Sequence, residues 1–176
     1  DDLLEVSRHR RIDVLFLVET WTDTDSVCLR RLRADGYQVI DRTRPRTRDD
    51  TLATNHGGVA AIARPGVRLS LVDIGVNPGT FELLCVRVTS GPSSCIAAIM
   101  YRPGSAAVTS AFFDDIADAL DRLATLVEPV YLVGDVNIRL ERPGDPSTAE
   151  FGDILSARGL SNRVMSARLD QGGALD

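Results

Sequence analysis

Apolar positions along this chain fall into two kinds of run. The first kind is nearly continuous. "IDVLFLVE" (12–19) reads as a strand buried on both faces, and "PVYLVGDVN" (129–137) reads the same way. "YQVIDR" (37–42), "GGVAAIAR" (57–64), "VRLSLVDI" (67–74), "FELLCVRVT" (81–89) and "SCIAAIMYR" (94–102) add further strands. Turn signals at Pro65-Gly66, Pro78-Gly79 and Gly91-Pro92 separate the last four, which most easily form antiparallel neighbours. The second kind of run has a helical period. "DSVCLRRLRADG" (25–36) is apolar at Val27, Leu29 and Leu32 and stops at Gly36. In "TSAFFDDIADALDRLATLVE" (109–128), capped by Thr109 or Ser110, the residues Phe113, Ile116, Leu120, Leu123 and Val127 make one stripe. "STAEFGDILSARG" (147–159) turns Phe151, Ile154 and Leu155 inward, and residues 1–10 read as the tail of a helix. Antiparallel strands flanked by α/β units predict an α/β fold, two sheets packed face to face with helices outside.

Composition narrows this picture. A chain of 176 residues with 44% hydrophobic residues is sized for one domain. No apolar run approaches the roughly 20 residues that span a bilayer, and the first residues lack a signal-peptide layout. Cys28, Cys85 and Cys95 have neither metal spacing nor an even count, so they are expected to be reduced thiols of an intracellular protein. A Cys85–Cys95 disulfide is the alternative. The net charge is −5, yet all 20 basic residues are arginine. Without lysine there is no P-loop, no Schiff base and no lysine general base. Arg42, Arg44, Arg46 and Arg48 alternate in "DRTRPRTRDD" (41–50). This run is either a solvated loop or a loop that grips phosphate.

Candidate chemistry sits where strands end. Glu19 closes the first run. Asp135 and Asn137 close "VYLVGDVN", two residues apart, and on an extended strand they would share a face. Tyr101 ends "IAAIMY" ahead of Pro103, which forces an extended bend. Ligands of α/β sheets bind beyond such strand ends. Asp, Glu and Asn oxygens suit a hard cation that keeps sites open for phosphate and water.

"LVETW" (17–21), "GGVAAIAR" (57–64), "MYRPG" (100–104), "FFDDIADAL" (112–120), "LVGDVNI" (132–138) and "GGALD" (172–176) occur in an order that resembles the endonuclease/exonuclease/phosphatase superfamily. More narrowly, they look like the apurinic-type endonuclease domain of non-LTR retrotransposons. The resemblance implies a four-layered α/β sandwich that cleaves DNA with Mg²⁺, or Mn²⁺ in its place. It implies that Glu19 binds the metal and that Asp135 positions or deprotonates the attacking water. Asn137 and Tyr101 would contact the scissile phosphate, and Asp176 would orient a catalytic histidine. Arg42, Arg44, Arg46 and Arg48 are the expected DNA contacts. Val136 stands where the family commonly has Phe, a packing change.

The single domain, residues 1–176, is expected to lack the family's first strand and its C-terminal Ser-Asp-His segment. Neither His9 nor His56 fits the missing histidine, so the fragment is expected to be impaired. The parent protein would carry a downstream reverse transcriptase and act on nuclear DNA, away from membranes. The alternatives are a superfamily phosphoesterase acting on a small phosphoester or lipid headgroup, and a non-catalytic remnant.

Overall fold

The computed structural model describes residue 5 and residues 9–22, 26–45, 57–142 and 144–163. Among them run β1 (Val14–Val18), α1 (Val27–Ala34), β2 (Gln38–Arg42), β3 (Val59–Ala63), β4 (Arg68–Leu71) and β5 (Glu82–Ser90). β6 (Ser93–Tyr101), α2 (Ser110–Leu123), β7 (Val130–Asp135) and α3 (Pro146–Ala157) complete the order. One sheet has the order β1-β3-β2 and is antiparallel throughout. The other has the order β4-β5-β6-β7, antiparallel except for the parallel β6–β7 pair. A parallel pair needs a long crossover, and α2 supplies it.

The four runs between residues 57 and 102 therefore divide between the sheets. β4, β5 and β6 form a meander, but β3 belongs to the other sheet. All five residues of "VAAIA" are buried there, as befits a central strand covered on both faces.

The layers follow from which face each residue presents. Leu29 and Leu32 of α1 pack with Ile62, Leu15, Leu17 and Val39 on the outer side of the first sheet. Val14, Phe16, Val59, Ala61 and Ala63 meet Leu84, Val86, Ala97, Ile99 and Tyr101 between the sheets. Leu83, Cys85, Ile96, Ala98 and Met100 face the other way, under α2 and α3. Phe112 centres that outer core, edge-on to Phe81 at 5.8 Å and stacked with Phe151 at 6.2 Å. The molecule is thus a four-layered α/β sandwich, with α1, two sheets, and α2 with α3.

Several local expectations shift. β1 is half-buried along its length. Among the described residues it pairs only with β3, and no strand there lies on its other edge. Val27 is exposed, and Leu29 and Leu32 alone anchor α1 under a Ser26 cap that accepts from Leu29 N–H. α2 ends at Leu123, which leaves Val127 97% exposed and outside the stripe. α3 starts one residue early, with Asp145 as its cap and Pro146 in its first turn. All three cysteines are free, Cys85 being buried. Most of residues 1–10 lie outside the described residues.

Candidate active site

Register brings three polar side chains into one row. Glu82 pairs with Tyr101 across β5–β6, and Tyr101 with Asp135 across β6–β7. Side chains alternate along strands, so Glu82, Tyr101 and Asp135 share the face that carries Leu84, Ile99 and Val133 between the sheets. The row closes the inter-sheet core at one end. Glu19 arrives from the first sheet, one residue past β1, and accepts a hydrogen bond from the Tyr101 hydroxyl. Tyr101 is only 2% exposed. Burial, then its bond to Glu19 and the negative charges of Glu19 and Asp135, push its phenol well above the usual range. The Arg44 guanidinium, 5.6 Å from the ring centroid, opposes this in part. Tyr101 therefore stays a neutral donor at physiological pH.

The backbone carrying Glu19 is strained. Glu19 and Trp21 have φ of 52° and 49°, in the left-handed region that bulky residues avoid. Such residues persist only where their surroundings over-determine them. Here Thr20 N–H donates to the Gly58 carbonyl at 3.1 Å, and Trp21 N–H to that of Gly57 at 3.0 Å. The two glycines are required by space. A Cβ on Gly58 would lie 2.4 Å from Thr20 Oγ1, and one on Gly57 would strike the Arg44–Glu82 pair. That pair ties the sheets together: Arg44 Nε donates to Glu82, whose second oxygen accepts from Gly58 N–H at 2.7 Å.

Asp135 and Asn137 are joined differently from the expected strand pair. β7 ends at Asp135, and Asn137 has φ 51°, so the alternation rule for strands lapses between them. Instead Asn137 N–H donates to Asp135 Oδ1 at 2.8 Å, an Asx turn. The Asn137 amide donates to the Arg102 carbonyl at 2.8 Å. Arg102, 2% exposed, returns the contact through Nε to the Val136 carbonyl at 2.7 Å and NH2 to the Asn137 carbonyl at 2.6 Å. Its third nitrogen donates to the Ala106 carbonyl, and Phe112 lies under its plane at 5.6 Å. Burial pulls the Arg102 pKa down and Asp135 pushes it back up. Gly104 leaves room for Asn137, whose Oδ1 would lie 2.9 Å from any Cβ there.

Glu19, Tyr101, Asp135 and Asn137 thus come together at one end of the sandwich. Arg42 closes β2 rather than opening a loop, and Arg44 turns onto Glu82 and Tyr101. Arg46, Arg48, His56 and Asp176 lie outside the described residues. His9 is exposed, before β1. Sequence reasoning gave no role to Glu82 or Arg102. Glu82 was findable, as an acid opening a strand whose alternate residues Leu84 and Val86 face inward. Arg102 was not, because its partners are main-chain carbonyls.

The donor set can be tested against a divalent cation. Among the described residues, no three His, Cys, Asp or Glu side chains gather as a metal cage. Glu19 is exposed and has one carboxylate oxygen on Tyr101, and Asp135 has one on Asn137 N–H. That leaves one oxygen of each with no hydrogen bond among the described residues. Few carboxylates with water completing the shell suit Mg²⁺ rather than a cation that needs an all-protein cage.

No protein-family model matches the sequence, and no curated protein matches it. Solved structures do. The endonuclease domain of TRAS1, a telomere-specific non-LTR retrotransposon, superposes with a TM-score of 0.62 at 12% identity, over 90% of this chain and 64% of that one. The catalytic domain of human Nocturnin, solved with a bound sulfate, gives 0.60 at 19% identity, over 93% and 68%. TDP2 of D. rerio, complexed with single-strand DNA product, gives 0.56 at 15% identity, over 93% and 58%. The chain therefore spans between 58 and 68% of the length of these three. At such identities the likeness is one of architecture, and this chain has the fold of the endonuclease/exonuclease/phosphatase superfamily.

Proposed function

We propose that this chain is a Mg²⁺-dependent phosphodiesterase that nicks DNA, as the endonuclease part of a non-LTR retroelement protein. A downstream reverse transcriptase and nuclear target DNA belong to the same reading. The observation that carries it is the meeting of Glu19, Tyr101, Asp135 and Asn137 at one end of the two sheets. Among the described residues, three of the four non-glycine residues with left-handed backbone, Glu19, Trp21 and Asn137, stand in these two strand-end segments. Strain of that kind clusters at functional sites. The TRAS1 likeness adds support for a retroelement.

In this reading Glu19 holds the cation, Mg²⁺ or Mn²⁺. When bound, the metal supplies positive charge to the phosphate oxygens. The rest falls to the chain. Asp135 orients the attacking water through its free oxygen, its other oxygen being fixed by Asn137 N–H. Asn137, held by the Arg102 carbonyl, offers its second amide hydrogen to the scissile phosphate, and Tyr101, kept protonated, would turn its single proton from Glu19 to that phosphate when substrate binds. Arg42 and Arg44 set positive charge beside the nucleic-acid track. A general base beside Asp135 would add about 10²–10⁴-fold.

Two measurements test this. Mg²⁺ should raise the Tm of the wild-type chain and leave that of Glu19→Ala unchanged, by binding linkage. Supercoiled plasmid should be nicked by the wild-type chain with Mg²⁺, and not by Asp135→Ala. Turnover of a small phosphomonoester without any nicking would replace the reading with that of a phosphatase.

A further inference from the structure

Glu82 is an acid in an apolar place. It opens β5 on the face that carries Leu84 and Val86 into the core between the sheets, and its side chain is only 18% exposed. A carboxylate put there needs hydrogen bonds. Both of its oxygens have one, and both bonds cross to the first sheet. One oxygen accepts from Arg44 Nε, just past β2, and the other from Gly58 N–H at 2.7 Å, just before β3.

The second bond reaches the Glu19 segment through a single peptide unit. The Gly57 carbonyl and the Gly58 N–H belong to the same trans peptide, so they point in opposite directions. On one side the N–H meets Glu82. On the other the carbonyl accepts from Trp21 N–H at 3.0 Å, and the next carbonyl, that of Gly58, accepts from Thr20 N–H at 3.1 Å. Those two bonds hold the backbone that follows Glu19. A peptide between two glycines resists rotation weakly, because neither residue has a Cβ to restrict it. Gly57 and Gly58 are buried, so the Gly58 N–H depends on a protein acceptor, and Glu82 is that acceptor.

We propose that Glu82 is a positioning residue for the cation site: its carboxylate fixes the Gly57–Gly58 peptide, and that peptide fixes residues 19–21 so that the Glu19 carboxylate faces the centre. The inference rests on the reading that Glu19 holds the cation. It adds that Glu82 contributes a hydrogen-bond acceptor rather than a negative charge. A carboxamide can therefore take over the role, and alanine cannot.

The test is Mn²⁺ binding, read from the EPR signal of the free ion, together with the emission of Trp21, the only tryptophan in the chain. Neither readout needs substrate or turnover. Glu82→Ala should weaken Mn²⁺ binding by about tenfold or more, as loss of an outer support of a metal ligand does, and should shift Trp21 emission to longer wavelength. Glu82→Gln should keep wild-type affinity and emission, because an amide oxygen also accepts the Gly58 N–H. Glu82→Asp, which withdraws the acceptor by one methylene, should behave like Glu82→Ala and replaces it if the alanine variant does not fold. Equal weakening in Glu82→Gln and Glu82→Ala would mean that Glu82 acts by charge. Wild-type affinity in Glu82→Ala would mean that it does not act on Glu19. Either result overturns the proposal and leaves the cation reading standing. If the wild type binds no Mn²⁺, the cation reading falls and Trp21 emission decides alone. A shift in Glu82→Ala that is absent from Glu82→Gln then supports the hold on residues 19–21, and equal spectra overturn it.

Discussion

The two strand ends that supply carboxylates are supported in opposite ways. Asp135 belongs to a network closed within its own sheet. Its main chain accepts from Arg102 N–H at 2.9 Å, its side chain accepts from Asn137 N–H, and the Arg102 side chain donates to the carbonyls of the next two residues, Val136 and Asn137. Glu19 has no such network. It stands exposed on left-handed backbone and reaches the other sheet through the Tyr101 hydroxyl. What fixes it lies across the interface: Gly57, Gly58, and the Arg44–Glu82 pair. One half of the site is therefore set by hydrogen bonds inside a sheet, and the other by how two sheets dock. Damage to the first should register as lost stability. Damage to the second should register as lost geometry at small cost in stability.

The largest effect is expected from Gly134→Ala. Gly134 has φ +123°, and a Cβ would lie 2.0 Å from the Met100 carbonyl oxygen, which is backbone and cannot swing aside. β7 would have to leave its register on β6, taking Asp135 with it. Urea unfolding should show a loss of about 4 kcal/mol or more. A loss below about 1 kcal/mol would mean that β7 is not held where its pairing with β6 requires.

Arg102→Met comes next, measured against Arg44→Met. The first leaves the buried Val136 carbonyl and the part-buried Asn137 and Ala106 carbonyls without their donors, for a cost of about 2–4 kcal/mol. The second breaks a partly exposed ion pair whose carboxylate keeps the Gly58 N–H, for about 1 kcal/mol or less. Both can be read from the same denaturant titration. Equal costs would erase the distinction between the two halves.

The sequence discloses the same asymmetry. Architecture was legible because burial writes itself into period. The nearly continuous apolar runs "FELLCVRV" and "CIAAIMY", and the stripe Phe113, Ile116, Leu120, Leu123, each match the elements that formed. Sheet membership was not legible: nothing local in "VAAIA" says that it pairs with β1 and β2 rather than β4. Turn geometry was misread where backbone hydrogen bonds override strand period, as in the Asx turn at Asp135–Asn137. Val127 was assigned to a stripe that α2 never reaches, since it lies beyond the Ala124 cap. Arg102 left no mark because a side chain that binds carbonyls needs no partner residue in the sequence.

The smallest effect, and the sharpest test of the Glu19 half, comes from Tyr101→Phe. Removing the hydroxyl costs the Glu19 hydrogen bond, but Glu19 is exposed and water can replace the donor. About 1 kcal/mol is expected at pH 7. The pH dependence carries the information. The phenol's pKa is raised in the folded state by burial and by the Glu19 bond, whereas in the unfolded chain it is about 10. The unfolded state therefore releases this proton first as pH rises. The stabilisation is complete below about pH 10 and is lost progressively above it, up to the folded-state pKa. Wild type and Tyr101→Phe should differ by a constant amount from pH 7 to about pH 9. The gap should then shrink as pH approaches 11, with Tyr101→Phe showing the flatter profile. Urea titrations of both chains across this range would read it. A gap that stays constant to pH 11 would mean that the Tyr101 hydroxyl is solvated rather than bonded to Glu19, and that docking of the two sheets, not this bond, sets the position of the glutamate.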